Sequence, residues 1–393
     1  MVAASLTRQR PHTSPAHPRT GGILPAAANL ANLGERTTVV YLNNGKMRLA
    51  LCSDRHKAAA ASACRRIVAR THHPMLQTVI DADLLSLFVR FLAENHNPAL
   101  QVEAAWVLTN VAAGTRLQTL AVASTGAVPS LVRLLHTEAS HLLLSLVAWA
   151  LANIARELRD EVLLHGALPR LLTVLEYHTQ TFREMRDSAS PRSEMIHLLC
   201  QLCHGVPRPP LDVLRPALPV LVRIASASHN HEVLVSVSCT LETFVASDRH
   251  SLQAAIDAGA LQVLAGLTTH TAPAVAVNAL NALLQVAIVN DAHANDLVDA
   301  GALAPLRECL DREDAVCMIA CDVIVYLIRN GCLCPVLRNG IFPVLFDLMH
   351  TTSTDTIAAH AAYVVLHACL AADVGAHSLS CHSIPCRFPC SPT

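Results

Sequence analysis

One position recurs down this chain at a nearly constant interval, and that recurrence limits the fold more than any single motif does. Followed through successive apolar helical patterns, it falls at Cys64, Trp106, Trp149, His197, Thr240, Asn281, Asp322 and Tyr363, in steps of 42, 43, 48, 43, 41, 41 and 41 residues. A turn recurs beside it: Gly126-Ala-Val-Pro, Gly166-Ala-Leu-Pro, Gly259-Ala-Leu, Gly301-Ala-Leu and Gly340-Ile-Phe-Pro each separate two apolar helical stretches. Glycine at a fixed place between helices is a C-cap signal, because the turn needs φ > 0. Two markers with a shared period, and no alternating strand pattern between them, describe stacked helical units.

Composition agrees. Hydrophobic residues make up 52% of the 393-residue chain but aromatic residues only 3%, so Leu, Ala and Val do the packing. A single core rarely grows beyond roughly 250–300 residues, whereas a stack of repeats needs only neighbour contacts. Mean hydropathy is +0.38. The most apolar run, Leu142 to Ala155, is nevertheless shorter than the ~20 residues of a membrane span and is followed at once by Arg156. It reads as a buried repeat helix, and no membrane partner is expected. The long step of 48 residues is assigned to a polar loop from Glu176 to Glu194, which contains Ser188-Ala-Ser-Pro-Arg-Ser193.

The chemistry concentrates in the two tryptophans, Trp106 and Trp149, each followed four residues later by asparagine, Asn110 and Asn153. On a helix, i and i+4 lie on one face. A carboxamide can donate to a peptide C=O and accept from a peptide N–H, and an indole face attracts Lys or Arg. Asn is a poor companion for a core indole, because a buried amide without partners is costly. The pairs are therefore expected to hold an extended, basic peptide.

These residues carry a resemblance. Val102-Glu-Ala-Ala-Trp106-Val-Leu-Thr-Asn110-Val-Ala-Ala-Gly114-Thr is similar to the second armadillo repeat of the importin-α family, and Val147-Ala-Trp149-Ala-Leu-Ala-Asn153-Ile-Ala is similar to its third. The likeness extends through Arg65-Arg-Ile-Val-Ala-Arg70 and Pro209-Pro-Leu-Asp212, covering about 60 to 370 and strongest over the first three units. It implies an all-α, right-handed superhelical armadillo-repeat solenoid of about eight repeats, over residues 51–372. It also implies a concave groove for nuclear localisation signals, in which Trp106 and Trp149 form slots for lysine stems while Asn110 and Asn153 grip the peptide backbone. The key lysine would meet the Gly114 carbonyl, the Thr119 hydroxyl and the carboxylate of Glu157, which stands where the family has Asp. Glu103, His197 and Gln201 extend the same candidate face. The implied partners are basic signal-bearing cargo proteins and a β-type import carrier, in the cytoplasm and nucleus.

Departures from the family pattern lie later in the chain. The pairs become His197 and Gln201, Thr240 and Phe244, Asn281 and Gln285, Asp322 and Tyr326, and Tyr363 and His367. No Trp-Asn pair remains for a second, minor groove. Residues 1–60 carry only scattered Arg8, Arg10, Arg19, Arg36, Lys46, Arg48, Arg55 and Lys57, so the carrier-binding segment is expected to be missing. The net charge of −1 is modest for a groove that collects cations. An armadillo scaffold in the cytoskeleton or a flagellum is the alternative function.

Other signals resolve to plain readings. Residues 1–50, acid-free before Glu35 and interrupted by prolines, are expected to be a disordered segment, and the Asn44-Gly45 turn signal within it is weak. Cys200-Gln-Leu-Cys203-His204 matches a c-type haem attachment pattern, but it falls in phase with the repeat helices and is expected to pack. Cys381, Cys386 and Cys390 with His382 fit no closed zinc site, so 373–393 is expected to be a disordered tail. No metal, cofactor, nucleic-acid partner or catalytic constellation is expected. The 22 histidines include no H-E-x-x-H, and there is no phosphate loop or nucleophile elbow.

Overall fold

The computed structural model describes residues 54–69, 76–181, 192–205, 207–312, 315–352 and 354–378. Residues 1–53, which include Asn44-Gly45, and 379–393, which include Cys381, His382, Cys386 and Cys390, lie outside the described residues. The described residues are helical and contain no strand. They fall in two compact units, one ending at Leu202 and the other beginning at Cys203.

In the first unit, α1 (Asp54–Val68) is followed by α2 (Leu76–Asp81), α3 (Leu85–Leu92) and α4 (Pro98–Ala112), then by α5 (Arg116–Ser124), α6 (Ala127–Arg133) and α7 (His141–Leu164). Helices α8 (Ala167–Thr181) and α9 (Arg192–Cys203) complete this part of the chain. Two long helices of this unit begin at side-chain caps. Asn97 accepts from Leu100 N–H ahead of Pro98 at the start of α4, and Ser140 accepts from Leu143 N–H ahead of α7. Helix α4 is apolar almost all round because neighbours cover it on both sides: it packs on α1 and on α7. Its Leu100, Ala104, Ala105, Val107, Leu108 and Val111 are fully buried.

The second unit repeats the plan. After α10 (Leu211–Leu214) and α11 (Ala217–Ala227), helix α12 (His231–Val245) begins a row of packed helices. The row continues through α15 (Pro273–Val289), α18 (Ala315–Arg329) and α21 (Asp355–Ser378), each in contact with the next. Between them lie the short pairs α13 (Arg249–Asp257) and α14 (Ala260–Leu267), α16 (Asp291–Asp299) and α17 (Leu303–Cys309), and α19 (Leu333–Arg338) and α20 (Ile341–Thr351). Asn278 donates across this row to Val235 O at 3.2 Å, and Asn330 to Ala287 O at 2.6 Å.

The periodic markers fall where their spacing puts them. The eight recurring positions lie one each on α1, α4, α7, α9, α12, α15, α18 and α21. Gly126, Gly166, Gly259, Gly301 and Gly340 all have φ between 68° and 81°, the left-handed turn that a Cβ disfavours. Cys64 and Thr240 are fully buried rather than half-open like the tryptophans, because small side chains at that position sink between neighbouring helices. Helix α8 continues through Thr181 and α9 already includes Glu194, so both ends of the expected Glu176–Glu194 loop are helical, and 182–191 lie outside the described residues.

Helix α7 by length and composition could cross a membrane, as could Asp355–Ala372, but 61% of its apolar window is packed inside the fold. It is also broken at Leu158 (φ −136°, ψ 45°), where one repeat's long helix gives way to the next.

Candidate peptide-binding site

Helices α4 and α7 bring the two Trp-Asn pairs side by side. Trp106, Asn110 and Trp149 are half-buried, whereas Asn153 is only 6% exposed. The burial of Asn153 is not a desolvation error. Its Nδ2 donates to the main-chain carbonyl of Thr109 on α4 at 3.3 Å, and the Thr109 hydroxyl donates to Leu146 O on α7 at 3.0 Å. Asn110 instead donates to Trp106 O within its own helix at 2.8 Å. A carboxamide has two N–H donors and one oxygen acceptor. One donor in each asparagine is thus fixed internally, and the other groups keep the donor-acceptor character that a peptide backbone requires.

The expected lysine clamp gathers around the start of α5. Gly114 is the last residue before the N-cap Thr115, whose side chain and that of Gln118 form a reciprocal capping box. A Cβ at Gly114 would run into the Gln118 carboxamide and come within 3.1 Å of Leu76, so any larger residue there would displace the Gln118 side chain from its cap. Thr119 is 1% exposed, and its hydroxyl donates to Ala112 O at 2.9 Å and approaches Thr115 O at 3.2 Å. Its oxygen retains lone pairs but is shut off from solvent. Glu157 sits at the exposed end of the long α7 segment, just before the break at Leu158. It pairs with Arg116 Nε at 3.3 Å, and the Arg116 side chain is 74% exposed.

Sequence reasoning missed the internal arginines. Arg65 on α1 donates from Nε to Glu103 Oε2 at 2.7 Å, and its guanidinium carbon lies 5.3 Å from the centre of the Trp106 ring. Glu103 and Trp106 stand three residues apart on α4, so one arginine meets both. The signal was present: Arg65 directly follows the recurring position Cys64, and Glu103 precedes Trp106 by one helical turn.

His197 is exposed and Gln201 half-buried on α9. On the same helix Cys200 and Cys203 are 6% and 1% exposed, which places the Cys-x-x-Cys-His pattern in packing. His204 bonds to Thr240 Oγ1 at 3.2 Å, and burial and the nearby Arg208 hold its pKa below the usual value.

In the second unit the later positions present a different surface. Thr240 is buried and Phe244 lies 5.8 Å beneath Arg208. Tyr326 lies 5.3 Å beneath Arg329, and the rings of Tyr363 and His367 meet edge to face at 4.5 Å. Asp322 is held above the usual carboxylate range, mainly by burial. Among the described residues no group of His, Cys, Asp and Glu is arranged to hold a metal.

Comparison with known proteins agrees with the helical repeats. The Armadillo/beta-catenin-like repeat family matches residues 72–113 and 115–156, the stretches that contain α2 to α4 and α5 to the long part of α7. Importin subunit alpha-2 of Arabidopsis thaliana is 36% identical over 214 residues, 54% of this chain and 38% of that relative. Importin subunit alpha-1a of Oryza sativa subsp. japonica is 32% identical over 253 residues, 64% of this chain and 46% of that relative. An engineered protein of solved crystal structure shares the fold, with a TM-score of 0.65 over 86% of this chain and 82% of its own at 23% identity.

The helix plan and the repeat match define an all-α armadillo-repeat protein. More narrowly, it is a divergent importin-α-like armadillo protein that spans less than half the length of the curated relatives it matches.

Proposed function

We propose that this chain is a non-enzymatic, importin-α-like adaptor that binds extended Lys/Arg-rich peptides on the α4–α7 face of its first unit. The observation that carries this reading is the series Trp149, Asn153 and Glu157, spaced four residues apart on one helix. It supplies an aromatic face for a cation, an amide for a peptide backbone and an anion to favour lysine over a neutral side chain. Gly114 contributes its carbonyl at the neighbouring turn. Thr119, buried beneath it, fixes that turn through its bond to Ala112. The expected partners are cargo proteins with basic localisation signals; the resemblance also implies a β-type import carrier, for which residues 1–60 offer only scattered basic residues, and a role in nuclear import in the cytoplasm and nucleus.

A second reading, an armadillo scaffold for other ligands, is favoured by the second unit, where Tyr326 and Tyr363 already have ring partners in Arg329 and His367. Immobilised lysine-rich peptide and its Lys→Gln counterpart separate the two. The adaptor is retained by the lysine peptide alone and released as salt rises. Equal retention on both peptides, or none on either, favours the scaffold.

A further inference from the structure

Aromatic rings on the long repeat helices of this protein already have cationic or ring partners from the chain itself. Arg65 covers Trp106, Arg208 covers Phe244, Arg329 covers Tyr326, and His367 meets Tyr363. Among the described residues, Trp149 has no arginine or lysine over its ring. The two tryptophans are therefore chemically unequal, although their sequence contexts are nearly alike. The difference lies in their neighbours. The places that hold Arg65 and Glu103 around Trp106 are taken by Val107 and Leu146 around Trp149, and both of those are buried in the helix packing.

The geometry points to Arg65 as a built-in occupant of the first indole, which a basic ligand must displace and which limits how many basic side chains the first unit reads. This inference rests on the peptide-binding reading above and concerns the regulation of that same site. Three features make Arg65 an effective occupant. Its planar guanidinium suits an indole face better than an ammonium does. Its 2.7 Å bond to Glu103 holds it there, with the two side chains 32% and 21% exposed, so the pair is less screened than a surface bridge. As part of the fold, it competes at an effective concentration in the millimolar range, far above that of a dilute ligand. The Arg116–Glu157 pair has none of this protection, because its arginine is 74% exposed; an exposed pair yields readily to a ligand. Ligand lysine thus enters beside Trp149 and Glu157 first, and Trp106 is reached only at the expense of Arg65.

The test measures anisotropy of a fluorescein-labelled oligolysine peptide with the full chain, Arg65→Ala, Trp149→Ala and the double variant R65A/E103Q. Arg65→Ala uncovers the indole and frees the Glu103 carboxylate, so it should bind about threefold tighter or better, and the added E103Q should remove part of that gain. Unchanged or weaker binding by Arg65→Ala, with the parent chain binding and Trp149→Ala impaired, overturns the inference and leaves the peptide site standing. No binding by either the parent chain or Arg65→Ala overturns the peptide site itself and the inference with it. A second measurement needs no ligand. In a Trp149→Phe background Trp106 is the sole tryptophan, and Arg65→Ala should raise its quenching by acrylamide while the helical circular dichroism is retained. Equal quenching with and without Arg65 also overturns the inference.

Discussion

The side-chain amide of Asn153 donates to the main-chain carbonyl of Thr109 at 3.3 Å, tying together the two helices that carry the tryptophans. The Thr109 hydroxyl returns the link by donating to Leu146 O. The same residue that is expected to grip a peptide therefore also sets the spacing between its own helix and the preceding long helix, α4. Comparable bonds from Asn278 to Val235 and from Asn330 to Ala287 show that bridging by asparagine is a general device of the second unit too.

This double role predicts that the two asparagines behave differently when truncated. Asn153→Ala should lower stability by about 0.5–1.5 kcal/mol. The loss stays at that modest level because Thr109 O still accepts from Ala113 N–H. Asn110→Ala loses only a bond within its own turn and should leave the urea midpoint nearly unchanged. Both should weaken an oligolysine peptide, so Asn110 is the cleaner probe of binding. Equal loss of stability in the two variants contradicts the bridging role.

Two glycines in adjacent turns should fail for different reasons. Gly126 has φ +76° with open space where a Cβ would go, so Gly126→Ala costs about 1–2 kcal/mol in backbone strain alone. Gly114→Ala displaces Gln118 and breaks the capping box, a loss of roughly 0.5–2 kcal/mol. In a Gln118→Ala background Gly114→Ala should cost less than it does in the parent chain, whereas Gly126→Ala should cost the same in both. Denaturation of Gly114→Ala, Gly126→Ala, Gln118→Ala and the two double variants checks this, and identical behaviour at the two positions contradicts it.

The repeat phase, the left-handed glycine turns and the placement of both tryptophans on long helices were legible in the sequence, because each is periodic or local. Lateral relationships were not. Arg65 and Trp106 are 41 residues apart in the chain, and nothing in either local pattern says that one covers the other. The burial of Asn153 was misread for the same reason: a buried amide is costly only without partners, and Thr109 is supplied by another helix. The polar stretch Glu176–Thr181 reads as a loop by composition, yet it continues α8.

His204 supplies a pH dependence in the second unit. Burial, with the charge of Arg208, lowers its pKa in the folded state from the usual value near 6.5. Between those two values the unfolded chain holds a proton that the folded chain does not, so this histidine's contribution to stability falls as pH drops below about 6.5. The raised carboxyls of Glu242 and Asp322 act in the opposite sense, so the comparison is with His204→Gln, in which they are unchanged. The parent chain should lose more stability than the variant on going from neutral pH to pH ~5.5. Parallel pH profiles contradict this placement of His204.

A two-cluster basic peptide should gain little from its second cluster. The second unit offers Tyr326 under Arg329 and Tyr363 against His367 where a lysine slot would need an open indole. Calorimetric titration should give less than a tenfold advantage, about 1.4 kcal/mol, over the larger cluster alone. A larger gain means that the second unit binds cations by another route.

The most direct measurement is the affinity of a fluorescein-labelled oligolysine peptide for the parent chain, Trp149→Ala, Glu157→Gln and the double variant Y363A/H367A, each first shown to retain its helical signal. Trp149→Ala should lose the cation–π term of about 0.5–2 kcal/mol, a severalfold or greater weakening. Glu157→Gln should weaken binding chiefly at low salt, where its charge is least screened. Y363A/H367A should bind as the parent does. If the three variants match one another and the parent, the basic-peptide site is not on the α4–α7 face.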